Sequence, residues 1–357
     1  ELPNAQVVLD GPVETLSKDG SFLGRHVFTR LPGVAVQINA FNFPVWGALE
    51  KFAPAFLAGV PTIVKPATPT AYLAEAWVRI LVDSGLLPAG TLQLVSGAVP
   101  GLFDLLELGD TVGFTGSAST AERLRVQARP GVRLTSETDS INASVLGPDA
   151  VPGTPEFDAF VRQVLAELVT KAGQKCTAIR RTIVPAAIEP AFVSALADKL
   201  AERVILGDPH AEGVTMGPLV SRAQRDEVLR QVAALEGAGG RVVIGSTAEP
   251  EVVRADGSTG TSPDGAFVAP IVLAFDPDHA LAGAAVHEIE AFGPVTSVLG
   301  YRTVGEAAEL VGRGGGSLVT SVATHDPAVA TELLGRIGAY NGRVLFLDRD
   351  DARTSTG

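Results

Sequence analysis

A single cysteine, Cys176, stands in 357 residues. One thiol cannot form an internal disulfide, which excludes a disulfide-stapled secreted scaffold and suits a reducing cytoplasm. Basic residues are also short: 28 Lys and Arg face 40 Asp and Glu, for a formal net charge of −12. No basic stripe offsets that repulsion, so no nucleic-acid partner is expected. Long apolar runs are missing too. No stretch of 18 apolar residues occurs, and the opening Glu1-Leu2-Pro3-Asn4 is not a signal peptide, so no membrane partner is expected. The five histidines do not cluster and Cys176 has no partner at zinc-ligand spacing, which argues against a metal site.

What the chain does have is apolar content of 46% and 39 glycines, the composition of a globular α/β protein. Its length exceeds the usual size of one hydrophobic core, so two domains are expected. Runs rich in β-branched residues alternate with helical patterns. Strands are predicted at Val7–Leu9, Gly33–Asn39, Val60–Pro66, Leu92–Val95 and Thr111–Phe114. Helices fall at Trp46–Ala58 and Tyr72–Asp83, with a short one at Leu102–Leu106. Such a βαβ series implies a mostly parallel sheet. The polar stretch Thr135–Asn142 lies between two β-like runs, and a domain boundary near residue 140 follows from it. Beyond it the α/β habit repeats, with a helix over Glu156–Thr170 leading to Cys176. Ala248–Gly265 is rich in Gly, Ser, Thr and Pro, as a surface loop or hairpin would be.

Several positions carry candidate chemistry. Cys176 sits in Gly173-Gln174-Lys175-Cys176-Thr177-Ala178, after an apolar helical face at Val164–Val169. Gly173, Gln174 and Lys175 mark a bend where backbone amides can point inward. A cysteine nucleophile there needs a lowered pKa or a nearby base; an inert buried thiol is the alternative. Asn42 follows a core strand at its C-terminal end, where open α/β sheets bind ligands. Thr115-Gly116-Ser117-Ala118-Ser119-Thr120 joins a strand to a helix over Thr120–Gln127. Its small residues let backbone amides approach a phosphate, although a helix cap at Ser117 or Ser119 explains them as well.

Asn42, Lys65, Gly116-Ser117, Glu137, Cys176 and Glu290-Ala291-Phe292-Gly293-Pro294, in this order, resemble the aldehyde dehydrogenase superfamily. The resemblance covers nearly the whole chain. It implies an α/β fold with a Rossmann-like cofactor domain over 1–139 and an α/β catalytic domain over 140–345. Residues 346–357 would begin the return to a C-terminal part lying beyond this sequence, and an N-terminal part of the cofactor domain would precede it. By that resemblance Cys176 attacks an aldehyde carbonyl, and its backbone amide and the Asn42 side chain hold the oxyanion. Glu137 activates water to hydrolyse the thioester. A base working near neutral pH calls for partial desolvation, and that is expected of Glu137. Glu290 and Phe292 serve the nicotinamide ribose, Lys65 the adenosine ribose, and Gly116 and Ser117 the pyrophosphate.

Three departures mark a narrower branch. The usual Glu-Leu-Gly-Gly is Glu137-Thr138-Asp139-Ser140, and the glycine expected five places after Gly116 is Ala121. Thr68 stands where many NAD-preferring members carry glutamate, so NADP is the favoured cofactor, with NAD the other choice. Ile38–Gly47, Glu137–Asn142 and Gly173–Thr177 are similar to semialdehyde dehydrogenases of phenylacetate and benzoate breakdown, including the dehydroadipyl-CoA type. That likeness implies a small-molecule aldehyde, CoA-linked, as substrate. It also implies a homo-oligomer, weakly a dimer, and a hydratase domain fused outside this sequence. A general medium-chain aldehyde dehydrogenase, a CoA-acylating dehydrogenase and an inactive structural paralogue are the competing readings.

Overall fold

The computed structural model describes residues 7–283 and 285–350. The opening Glu1–Asn4 and the last residues of the 346–357 segment, from 351 onward, lie outside the described residues. The chain divides into two compact units, Glu1–Asp139 and Ser140–Gly357.

The first unit begins with an antiparallel ribbon of β1 (Val7–Thr15) and β2 (Leu23–Thr29), joined by a turn at Ser17–Gly20. The sequence pattern missed β2. Most of its residues are exposed, so no apolar face announces it. The unit continues through β3 (Ala35–Ile38), α1 (Trp46–Leu57), β4 (Thr62–Lys65), α2 (Ala71–Asp83) and β5 (Leu92–Leu94). It closes with β6 (Thr111–Thr115), α3 (Ala118–Gln127) and β7 (Arg133–Glu137). These five strands form one parallel sheet in the order β5-β4-β3-β6-β7. Counted along the chain this is a 3-2-1-4-5 order, so the sheet reverses its winding between β3 and β6. Ala48 and Phe52 of α1 pack with Val64, Ala74, Trp77 and Val78, whereas Val36 and Val112 pack with Phe103 and Leu106. Each fully buried apolar side chain of this size contributes about 1.5–3 kcal/mol. Thr135–Glu137 belong to the strand β7 rather than to a polar link. Exposure alternates residue by residue along this edge strand, which is why polar residues fit it.

The second unit runs through β8 (Ala143–Leu146), α4 (Pro155–Val169), β9 (Arg181–Pro185), α5 (Glu189–Arg203) and α6 (Arg222–Gly237). Then follow β10 (Arg241–Ile244), β11 (Glu251–Val253), β12 (Thr259–Thr261), β13 (Ile271–Phe275) and the short α7 (Pro277–Leu281). The last elements are β14 (Val295–Tyr301), α8 (Val304–Gly312), β15 (Ser317–Ala323), α9 (Pro327–Ile337) and β16 (Asn341–Leu347). The sheet order is β10-β13-β14-β9-β8-β15-β16, with only β10 antiparallel to its neighbour. The segment 248–265 is the hairpin of β11 and β12.

Both faces of this sheet are covered, and its central strands are buried, with polar side chains on them paired across strands, Ser144 with Ser321 at 2.7 Å and Thr182 with Thr296 at 3.0 Å. One cover is α4 with α5, where the Phe160 and Phe192 rings meet edge to face at 5.3 Å. The other includes α6, α8 and α9, through Val228, Val232, Leu310, Leu333 and Ile337. Helix α4 starts cleanly because the Thr154 hydroxyl accepts the Phe157 amide at 3.3 Å and Pro155 follows at the first turn. Its buried Phe157, Phe160, Val161, Val164, Leu165 and Leu168 recur at helical spacing.

Candidate active site

Helix α4 ends against a backbone that few L-residues adopt. Lys171, Ala172 and Gly173 have φ of 52°, 51° and 70°, three successive left-handed residues. Each non-glycine member costs about 1–2 kcal/mol, so the surroundings must hold the bend. They do so through Gln174, whose Nε2 donates to Lys171 O at 2.9 Å while its Oε1 accepts the Val220 amide at 3.0 Å. Gly173 is required for space as well as for φ, since a Cβ there would lie 2.1 Å from the Gly293 carbonyl oxygen. Cys176 follows, half-buried.

Two side chains fix the loop beyond the bend. Asn142 Nδ2 donates to Cys176 O at 2.8 Å and Ala178 O at 2.9 Å, and its Oδ1 accepts from Ser140 Oγ and the Val319 amide. Arg180 donates to Gly173 O at 3.0 Å and Lys175 O at 3.1 Å. Glu290 Oε1 pairs with Arg180 Nε at 3.3 Å, and its other oxygen accepts the Ser140 amide at 3.2 Å. The Phe292 ring covers the same guanidinium, its centroid 5.2 Å from Arg180 Cζ. These segments precede β8, β9 and β14, which are neighbours in the sheet. Cys176, Asn142, Glu290 and Phe292 therefore gather at the amino ends of three adjacent parallel strands. Lys171 and Arg180 are near enough to Cys176 that a negative charge on its sulfur would favour their charged forms. Lys175 pairs with Glu167 at 2.9 Å.

Beneath the loop lies a second buried cation. Arg181, fully buried, donates to the carbonyls of Ile141, Leu310 and Val311 and to His287 Nδ1 at 2.9 Å. Arginine only donates, so His287 Nδ1 accepts and its Nε2 carries the proton given to Ala280 O at 3.0 Å. Burial first, then the Arg181 and Arg313 charges, push the His287 pKa down to about 4. Burial likewise brings Arg181 to about 9.

In the first unit the remaining residues share the carboxyl ends of one parallel sheet. Asn42 follows β3, Lys65 ends β4, Gly116 and Ser117 follow β6, and Glu137 ends β7. Asn42 and Gly116 thus flank the point where the winding reverses, the place open α/β sheets offer a ligand. Thr68 is exposed at the turn after β4, and Lys65 Nζ donates to Pro66 O at 3.2 Å. Ser117 is the N-cap of α3, accepting the Thr120 amide at 3.4 Å. The Ala118 amide at the same helix end donates to Asp139 Oδ1 at 3.0 Å. A phosphate at this turn therefore meets a carboxylate already seated there.

The desolvation expected of Glu137 is not found. Its side chain is 59% exposed, with Lys51 Nζ at 3.6 Å and the Thr115 hydroxyl donating at 3.1 Å. The reason is its place at the end of an edge strand, facing solvent. Lys51, Asn142 and Arg180 are the residues that sequence reasoning missed. Arg180 and Arg181 did leave a signal: two adjacent cations opening a buried strand must find partners.

A family model described as the aldehyde dehydrogenase family matches residues 15–345. The chain belongs to that family. It is 45% identical over 357 residues to the 3,4-dehydroadipyl-CoA semialdehyde dehydrogenase of Aromatoleum evansii, covering 98% of this chain and 66% of that protein. With a betaine aldehyde dehydrogenase of Cereibacter sphaeroides it shares 32% identity over 310 residues, 86% of this chain and 59% of that one. The solved structure of Staphylococcus aureus betaine aldehyde dehydrogenase in complex with NAD+ superposes with a TM-score of 0.75 at 27% identity, covering 88% of this chain and 59% of that one. The chain thus spans between 59% and 66% of the length of these relatives.

Proposed function

We propose that the protein oxidises an aldehyde to a carboxylic acid with NAD(P)+, using Cys176 as nucleophile. The observation that carries this reading is the Cys176 loop, a costly left-handed bend held by Gln174, Asn142 and Arg180. Strain of that kind persists where the surroundings over-determine it, and a half-buried thiol beside two cations is suited to act as a thiolate.

In this proposal Glu1–Asp139 is the cofactor half and residues 140–345 the catalytic half. A dinucleotide is proposed along the carboxyl ends of the 3-2-1-4-5 parallel sheet, where Lys65, Thr68, Gly116 and Ser117 lie, with its pyrophosphate displacing Asp139 from the Ala118 amide and a ribose adding to the bonds that Glu290 already makes with Arg180 and Ser140. Thr68 brings no negative charge against a 2′-phosphate, which favours NADP. Cys176 Sγ bonds to the carbonyl carbon, and the oxyanion of the thiohemiacetal is held by the Cys176 amide and the Asn42 side chain. NAD(P)+, when bound, would supply the hydride acceptor, and loss of hydride from the adduct carbon would leave a thioester on Cys176 Sγ. Glu137 takes a proton from water as its oxygen attacks the acyl carbon, and the carboxylic acid leaves as the thiol is restored. The exposure of Glu137 gives water ready access, and Lys51 and the Thr115 hydroxyl both lie at its Oε2.

A general aldehyde substrate needs nothing beyond this machinery. A CoA-linked semialdehyde is the second reading, favoured by the 45% identity to the Aromatoleum evansii protein across 98% of this chain. Comparing kcat/KM of the intact protein for NAD and NADP, each with an acyl-CoA semialdehyde and a matched simple aldehyde, separates the two. Preference for NADP and the CoA-linked aldehyde supports the narrower reading, and equal use of the simple aldehyde removes it. Glu137→Gln should release about one equivalent of reduced cofactor and then stall. Steady turnover in Cys176→Ser would overturn the mechanism itself.

A further inference from the structure

Arg180 is buried, and every arm of its guanidinium has a partner. Nη2 donates to Gly173 O and Lys175 O, in the loop that carries Cys176. Nη1 donates to Gly293 O at 3.0 Å, and Nε pairs with Glu290 Oε1. Phe292 closes the remaining face. One side chain thereby joins the residue before the nucleophile to the whole Glu290–Gly293 segment. Its hydrogen bonds to carbonyls supply shape but no countercharge. Among these partners Glu290 alone is anionic. Burial lowers the pKa of Arg180, whereas Glu290 foremost, then Glu167 and Cys176, oppose that shift.

We propose that Arg180 is a positioning residue that transmits engagement of Glu290 by the cofactor ribose to Cys176. This rests on the roles given above to Glu290 and Cys176. Ribose hydroxyls donating to the Glu290 carboxylate share the negative charge that otherwise faces Arg180. More of the cation's field then falls on the thiolate, and the loop carbonyls of Gly173 and Lys175 stay pinned as this happens. Lys171 also interacts with the thiol and is itself influenced by Lys175, which pairs with Glu167 at 2.9 Å. Arg180 bonds both the Cys176 loop and the Glu290–Gly293 segment, which makes it a direct link between them.

Alkylation by iodoacetamide tests this without turnover, because Cys176 is the only thiol in the sequence. The rate is followed against pH with and without saturating NAD(P)+, whose binding is checked by fluorescence of the reduced form. In the intact wild type the cofactor should lower the pH midpoint and raise the rate about threefold on the acid side. Arg180→Lys keeps a charge but cannot span three carbonyls. It should lose the cofactor-dependent shift and about tenfold in kcat, with the cofactor KM little changed. Glu290→Gln removes the countercharge, so its midpoint should be low already without cofactor, and this variant decides the matter if Arg180→Lys does not fold. A wild type whose midpoint ignores bound cofactor, or a Glu290→Gln midpoint that stays at the wild-type value, overturns the proposal. Either result would leave the aldehyde dehydrogenase reading in place, because that reading fails only if Cys176→Ser still turns over aldehyde.

Discussion

Acid should loosen the second unit through one histidine. His287 is 4% exposed and lies between Arg181 and the Ala280 carbonyl, with its Nδ1 lone pair facing a guanidinium. Protonation there places two cations against each other inside the fold. The folded pKa of about 4 lies below the ordinary 6.5, so the unfolded chain binds the proton more readily. Stability from the neutral imidazole is complete above pH 6.5, falls as pH drops below it, and is gone near pH 4. The full loss is about 3 kcal/mol, because each pH unit between those two values is worth about 1.36 kcal/mol, and about 2 kcal/mol is gone by pH 5. The comparison is His287→Gln, whose amide can accept from Arg181 and donate to Ala280 but does not titrate. Urea unfolding of both proteins at pH 7.5 and pH 5 should show the wild type losing about 2 kcal/mol more than the variant. Other acid-sensitive groups are common to both and cancel. Equal losses in the two proteins would refute the reasoning.

Two further outcomes follow from the loop. Asn142→Ala removes the donors to Cys176 O and Ala178 O and the acceptor for Val319 N, and should cost about 2–4 kcal/mol in urea unfolding at neutral pH. A loss below about 0.5 kcal/mol would mean that water or a neighbour replaces those bonds. Gly173→Ala combines a left-handed φ with a Cβ placed 2.1 Å from Gly293 O, so the bend must shift. Turnover should fall by about a hundredfold, since a misplacement near 1 Å costs that much. Wild-type kcat in that variant would show that the bend is dispensable.

The elements most legible in the sequence are those with simple burial. Val295–Tyr301 stands out because it is buried along its whole length and consists mostly of apolar and β-branched residues, Thr296 and Ser297 being its polar members. Helix stops at Gly59 and Gly85 are equally plain, both glycines having positive φ just past a helix end. The strand β2 and the five-residue α7 escaped because neither carries an apolar stripe long enough to register. Within the candidate site, Cys176 and Glu290 were visible as parts of motifs. Asn142 and Arg180 were not assigned roles, because their partners lie far away in the chain: Asn142 reaches Val319, and Arg180 reaches Glu290. No local pattern encodes a contact of that span. Exposure was misjudged at Glu137 for a related reason, since whether a strand lies at the edge of a sheet depends on the order of all the others.

The left-handed bend at Lys171–Gly173 also bears on the order in which this protein is assembled. Nothing in the short-range preferences of lysine or alanine selects that conformation. It is held by Val220 through Gln174, by Arg180, and by the Gly293 carbonyl that leaves room only for glycine. Those partners come from segments made later in the chain, the last of them more than a hundred residues downstream. On the role proposed for Cys176, a nascent or misfolded chain carries an ordinary thiol, and the activated one forms only once the second unit has closed. Its reactivity would then be a built-in report of correct folding, so that chains which fail to fold carry no thiolate primed to attack other molecules.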